Sequence, residues 1–162
     1  MTSPLRSGII AAVATLLIDQ ASKLWLLYGF HLGDRSPVRV TPFFDLVLAM
    51  NTGISFGWLQ NDSQIVQFGL MAVKVLAVVA LAIWMARSRT PLATIALGLI
   101  IGGAIGNAID RLAYGAVVDF ALFHIGNTFY WYVFNLADTA IVAGVFALLY
   151  DSFLGVGAAK AP

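Results

Sequence analysis

The sequence predicts an all-α membrane protein: four transmembrane helices with a small β-sheet on the extracytoplasmic side. Three observations carry that reading. Mean hydropathy is +0.90, with 60% apolar and 10% charged residues, against roughly a quarter charged in soluble domains. Four apolar stretches are long enough to cross about 30 Å of hydrocarbon, which takes about 20 helical residues. The longest connection holds β-branched and aromatic runs bounded by prolines, the pattern of short strands. At 162 residues, with no linker, repeat or low-complexity segment, the chain is expected to form a single membrane-embedded domain.

The first span is expected at approximately residues 8–28. Arg6 ahead of an apolar run has the look of a secretory leader. Asp19 and Lys23 interrupt that run, however, Leu24-Trp25-Leu26-Leu27 resumes it, and no small-residue cleavage site follows, so a retained helix is the reading adopted. Residues 29–62 form the β-rich insertion, with strands expected in Pro37-Val38-Arg39-Val40-Thr41-Pro42 and Phe43-Phe44-Asp45-Leu46-Val47-Leu48. The second, third and fourth spans are expected at about 64–86, 92–112 and 136–154. Lys74, near the middle of the second, is open either to snorkelling or to pairing with an aspartate across the bundle.

Gly98, Gly102 and Gly106 recur every four residues on the third span, a small-residue face that lets another helix approach closely. Gly103 and Asn107 make a parallel row. Arg6, Arg87, Arg89 and Lys160 lie in the short connections and tails, so by the positive-inside rule both termini are expected in the cytoplasm. Phe56, Trp58, Tyr130, Trp131 and Tyr132 would then sit at the outer interface, where amphipathic rings are favoured.

Ionisable side chains within a span cost at least about 2.5 kcal/mol at its centre, so their placement is informative. Most fall at one level. Asp19 and Lys23 are spaced i,i+4 with the acid first, the better order for a helical ion pair. Asn107, Asp110 and Arg111 lie at the outer end of the third span, with Asp110 and Arg111 expected as a second structural pair. Asp119 follows in the connection, flanked by apolar residues with no adjacent cation. Asn135 and Asp138 open the fourth span, where Asn135 reads as a helix cap and Asp138 as its third residue, facing free N–H groups. His124 is expected as a loop or interface residue.

Composition removes several chemistries. All eight acids are aspartate and there is no cysteine, which excludes disulfides and thiolate chemistry. His31 and His124 lie far apart, so neither a metal site nor a cofactor is expected. A net charge of +1 argues against nucleic acid as a partner. Asp119 and Asp138, presented to one outer layer, suggest a carboxylate dyad in which one acid keeps a proton while the other takes one from water. That arrangement suits water attack on a peptide carbonyl. A proton-coupled transporter would place its acids near the midplane in repeated halves, and a scaffold would leave the gathering of polar groups unexplained. For Asp138 the capping role stands beside the catalytic one.

Five blocks in order carry a resemblance over most of the chain: Asp19-Gln20-Ala21-Ser22-Lys23; Asn51-Thr52-Gly53-Ile54-Ser55-Phe56; Gly102-Gly103-Ala104-Ile105-Gly106-Asn107-Ala108-Ile109-Asp110-Arg111; Val117-Val118-Asp119-Phe120; and Phe134-Asn135-Leu136-Ala137-Asp138-Thr139-Ala140-Ile141. With these the sequence resembles the bacterial lipoprotein signal peptidases, signal peptidase II. The resemblance implies a four-helix aspartic endopeptidase of the bacterial inner membrane with a small periplasmic β-cradle. It would act as a monomer, near the periplasmic face, on prolipoproteins carrying diacylglycerol on the cysteine after the cleavage site, with membrane lipid as its other partner. By motif, Asp119 and Asp138 match the catalytic pair. Asn51, Gly103, Asn107, Asp110, Arg111, Asn135 and Ala137 match supporting positions around the substrate, and Asp19 with Lys23 a pair that steadies the fold. Tyr132 departs from the proline many members carry there, and the cradle and loop 121–133 are the expected clamps over the substrate.

Overall fold

The computed structural model describes residues 3–52 and 64–158. In chain order the elements are α1 (Pro4–Leu24), a single π-helical turn (Trp25–Gly29), α2 (Leu32–Arg35), β1 (Val38–Thr41), β2 (Phe44–Asn51), α3 (Gln64–Arg87), α4 (Pro91–Tyr114), β3 (Val117–Ile125), β4 (Phe129–Tyr130) and α5 (Leu136–Ala158). The starts of α1 and α4 share one chemistry. Ser3 and Thr90 each cap a helix whose first residue is proline, accepting the N–H of Arg6 at 3.4 Å and of Ala93 at 3.2 Å. Gly115, at φ 73°, ends α4 in the left-handed conformation that glycine adopts without steric cost. Among the described residues three helical stretches are long and apolar enough to cross a membrane: Pro4–Gly29, Pro91–Tyr114 and Leu136–Phe153. In α3 the shorter apolar stretch Val75–Arg87 is described.

α4 is the centre of the bundle, and its glycines explain how. A methyl group on Gly98 or Gly102 would run into the carbonyl oxygens of Gly8 or Ala12 on α1, and one on Gly106 would lie 2.6 Å from the Asp19 carboxylate. The neighbouring row faces the other way: a methyl on Gly103 would sit 2.6 Å from the Ala137 carbonyl oxygen of α5. α1 and α5 therefore touch α4 backbone to backbone, the geometry that small residues make possible between apolar helices. Ile9, Val13 and Leu17 of α1 and Val142, Phe146 and Phe153 of α5 remain exposed on the outside.

The sheet is antiparallel with order β1-β2-β3-β4. Its first two strands are those expected in the first connection. Its other half corrects the sequence reading: 121–133 is not a loop, because β3 runs through to Ile125 and turns at Gly126, φ 55°, into β4. Val117-Val118-Asp119-Phe120-Ala121-Leu122-Phe123-His124-Ile125 is β-branched and aromatic and lies between two positive-φ glycines, so the strand signal was present in the sequence. His124, expected on a loop or interface, is only 1% exposed and stacks on Tyr130. Its Nδ1 donates to the Gly126 carbonyl at 3.0 Å, and its Nε2 lies 3.4 Å from Asp45. A hydrogen bond from Arg39 holds the Asp45 carboxyl below its ordinary range. Tyr130, Trp131 and Tyr132 are exposed; Phe56, Trp58 and the Lys74 side chain lie outside the described residues.

Candidate active site

The polar layer of helices α1, α4 and α5 closes into one network. Lys23 Nζ donates to Asp19 Oδ2 at 2.8 Å and to Asp110 Oδ2 at 2.7 Å, and its third proton reaches Asn107 Oδ1 at 3.1 Å. All three N–H groups of the ammonium are thereby used. Asp19 Oδ1 accepts the backbone N–H of Ala137 at 2.9 Å, which fastens the start of α5 to α1. Asp110 Oδ2 also accepts the N–H of Val118 at 3.1 Å, which fastens β3 to α4. Asp19, Lys23 and Asp110 are each no more than 1% exposed, and charges so deep are stable only when paired and hydrogen-bonded like this.

That network corrects the expected Asp110–Arg111 pair. Adjacent helical residues point about 100° apart and cannot face one another. Asp110 turns inward to Lys23, while Arg111 reaches back to donate to the Asn107 carbonyl at 3.2 Å and lines an open crevice. Gln20 is the residue the sequence reading passed over. Its amide donates to Asp110 Oδ1 at 2.9 Å and to the Gly106 carbonyl at 3.2 Å; a second polar residue beside Asp19 in an apolar span was the available signal.

Asp119 and Asp138 meet at the crevice, which has a volume of about 620 Å³ and is also lined by Asn51, Asn107 and Arg111. Two asparagines link the carboxylates. Asn135 Nδ2 donates to Asp119 Oδ1 at 2.7 Å and contacts Asn107 Oδ1 at 3.0 Å, and Asn107 Nδ2 donates to Asp138 Oδ1 at 2.8 Å. Asn51 Nδ2 holds the other Asp119 oxygen at 3.1 Å. The chain places these groups by local means. Phe134 pairs with Ala121, setting Asn135 beside β3. Gly103 lets α5 come close enough for Ala137 to be fully buried.

Asp138 does also cap α5. Its N–H donates to Asn135 Oδ1 at 2.9 Å while its Oδ2 accepts the Asn135 N–H at 3.3 Å, a reciprocal capping box. The cap and the bond from Asn107 use different oxygens, so the cap orients the carboxylate while Oδ1 stays toward the crevice. Asp119 is 2% exposed. Burial, with the charge of Asp138 adding to it, pushes its carboxyl up to about 6 against the lowering effect of Asn51 and Asn135. An acid raised in the fold is held ionised at a cost, so this group favours the folded state below about pH 4 and withdraws that support as pH rises through about 6.

The crevice walls beyond the polar floor are apolar or aromatic: Trp131, Tyr132, Val133, Phe134, Ile141 and Val142. Ile141 and Val142 follow Asp138 at i+3 and i+4, so the same face of α5 carries acid and apolar wall. Of the expected site residues, Asn51, Asn107, Arg111, Asp119 and Asp138 line the crevice, Asn135 and Lys23 are one hydrogen bond from it, and Asp19, Asp110, Gly103 and Ala137 lie behind it in the Lys23 network and the helix packing. Gly53 to Phe56 of the second block lie outside the described residues.

Comparison with known proteins places this geometry in a family. A family profile described as signal peptidase (SPase) II matches residues 11–154. The chain is 73% identical over 163 residues to the lipoprotein signal peptidase of Nitrobacter hamburgensis, covering 99% of both chains. It is 66% identical to that of Rhodopseudomonas palustris, again over 99% of each. A solved bacterial membrane enzyme, obtained by the in meso method at 2.3 Å resolution, superposes with a TM-score of 0.77 at 26% identity, covering 95% of this chain and 91% of that one. The chain belongs to the signal peptidase II family, membrane proteases of lipoprotein processing.

Proposed function

We propose that this protein is an aspartic endopeptidase that removes the signal peptide from diacylglyceryl-modified prolipoproteins, with Asp119 and Asp138 as the catalytic pair. The observation that carries the reading is the convergence of two carboxylates from separate elements, β3 and α5, on a crevice with an apolar wall. Asp119, whose carboxyl is raised, holds the proton and gives it to the scissile carbonyl oxygen. Asp138 takes a proton from the attacking water and delivers it to the leaving amine as the gem-diol intermediate collapses, while one of its hydroxyls returns a proton to Asp119. Asn107 and Asn135 keep the two acids aimed at one point, and Arg111 supplies positive charge at the crevice. All these groups come from one chain, which supports action as a monomer.

The apolar wall fits a lipid-bearing substrate. Acyl chains anchored in a leaflet hold the scissile bond near the bilayer surface, where water can reach it. The test is cleavage by the purified protein of a precursor peptide with and without its diacylglyceryl group. Only the modified form should be cut; equal cleavage of both would remove the lipid from the recognition.

In this reading α3 is a fourth span, the aspartates and sheet face the periplasm, and both termini are cytoplasmic in the inner membrane. The chain has no cysteine, so single cysteines at Ser36 and Ser88 report without background. A membrane-impermeant thiol reagent on intact spheroplasts should label the first and spare the second. Labelling at Ser88 alone would invert the topology.

A pair that works with one shared proton loses activity when that proton leaves. Asp119 is the acid that holds the proton here, so kcat/KM should fall as pH rises through an apparent value near 6. Asn51→Leu removes a hydrogen bond that favours the ionised Asp119 and should move this limb to higher pH. A profile flat between about pH 5 and pH 8 would contradict the assignment of the proton.

A further inference from the structure

A second crevice, of about 560 Å³, lies at the end of the bundle remote from the aspartates, where the last turn of α3, the start of α4 and the far end of α5 meet. Its rim carries Arg89, Thr90 and Asp151, and its wall Trp84, Val145 and Leu149. Asp151 is held in place. The Thr90 hydroxyl lies 3.1 Å from each of its carboxylate oxygens, and the same hydroxyl oxygen caps α4 by accepting the Ala93 N–H. One hydroxyl proton cannot satisfy a carboxylate, so acceptor capacity is left over. Among the described residues neither Arg89 nor Asp151 takes part in an ion pair. The rim therefore offers a positioned anion and a cation that are not spent on each other.

The wall continues from the rim toward the middle of the bundle. Leu149 and Val145 stand about 3 Å and about 9 Å further along α5 than Asp151, at the helical rise per residue, and Trp84, Val145 and Leu149 are exposed. The surface thus passes from two opposite charges to apolar side chains within the depth at which a phospholipid passes from headgroup to acyl chain. We propose that this crevice binds an aminophospholipid of the leaflet opposite the aspartates. Its primary ammonium would sit on Asp151, its phosphate on Arg89 and an acyl chain along Val145 and Leu149. An anionic glycerol headgroup would match Arg89 but bring negative charge beside the Asp151 carboxylate. A trimethylammonium headgroup has no N–H to donate to Asp151.

The test is native mass spectrometry of the full chain released from detergent after incubation with phosphatidylethanolamine, phosphatidylglycerol or phosphatidylcholine of matched chains. Phosphatidylethanolamine should be retained about fivefold or more over the other two, a difference of about 1 kcal/mol. Asp151→Asn, which keeps an acceptor for Thr90, should reduce that retention to the phosphatidylcholine level. Arg89→Gln should weaken both phosphatidylethanolamine and phosphatidylglycerol. Both variants should cleave substrate at the parental rate, since neither residue lines the catalytic crevice. Equal retention of the three lipids by the parent protein, which needs no variant to fold, would overturn the proposal. So would preference for phosphatidylglycerol, indifference to Asp151→Asn, or displacement of the lipid by an equal concentration of soluble glycerophosphoethanolamine.

Discussion

Asp119→Asn and Asp138→Asn should each lower turnover by roughly 10⁴-fold or more, the scale seen when one member of a catalytic unit is removed. Asparagine keeps the size of aspartate but neither takes the proton from water nor returns it. The double variant should be hardly worse than either single one, because groups acting as a unit are not additive. Stability separates the two acids. At position 119 the variant loses a carboxylate that burial disfavours, while one of the two donors now facing it, Asn51 or Asn135, is left without an acceptor; these effects oppose, and the net change should be small. At position 138 the amide keeps only one of two acceptors, so it loses either the bond from Asn107 at Oδ1 or the Asn135 N–H bond that closes the capping box at Oδ2, which costs about 1 kcal/mol. If capping were the whole role of Asp138, its variant would show that stability loss and retain most of its turnover. A folded Asp119→Asn enzyme that binds lipopeptide and cleaves at near-parental rate would end the dyad proposal.

Lys23→Met should produce the largest loss of stability in the molecule. The ammonium is shared by the Asp19 and Asp110 carboxylates and orients the Asn107 amide that holds Asp138. Its removal leaves two carboxylates in a nearly dry layer, and breaking even a simple buried pair costs about 3 to 5 kcal/mol. Folded yield and resistance to thermal unfolding should both fall sharply. Adding Asp110→Asn to Lys23→Met should recover part of the loss, since one uncompensated charge is then gone; this sign of coupling separates charge burial from lost packing. Arg111→Ala is the comparison. Its guanidinium lines the crevice instead of neutralising Asp110, so activity should suffer more than stability. A Lys23→Met protein as stable as the parent would mean that the layer is wet enough to carry bare carboxylates.

Gly98, Gly102 and Gly106 announce a helix contact by their spacing alone, and Asp19 with Lys23 announces its pair, because both are local relations set by helical geometry. The polar layer was legible for a similar reason: bilayer thickness dictates where charged residues can stand. The five motif blocks point to the family before any coordinate is seen.

What sequence could not decide is which partner each group takes across elements. Asp110 stands next to Arg111 in the chain, yet its charge is met by Lys23 from a helix 87 residues earlier, because side-chain direction on a helix, not sequence proximity, selects the partner. That Asp138 can cap α5 and still present an oxygen to the crevice became visible only when its two oxygens were seen to face different donors. The β-branched and aromatic run of β3 is visible in the sequence, but which strand it joins was decided only by its pairing with β2, because a strand gains its stability from a distant neighbour. The sequence by itself determined the membrane setting and the long helices, through hydropathy and period, and named Asp119 and Asp138 as the candidate pair. Only the tertiary structure decided how Asn107 and Asn135 tie the two acids together, because hydrogen-bond partners across a bundle depend on how closely its helices approach, and here that distance is set by glycines on both sides of α4.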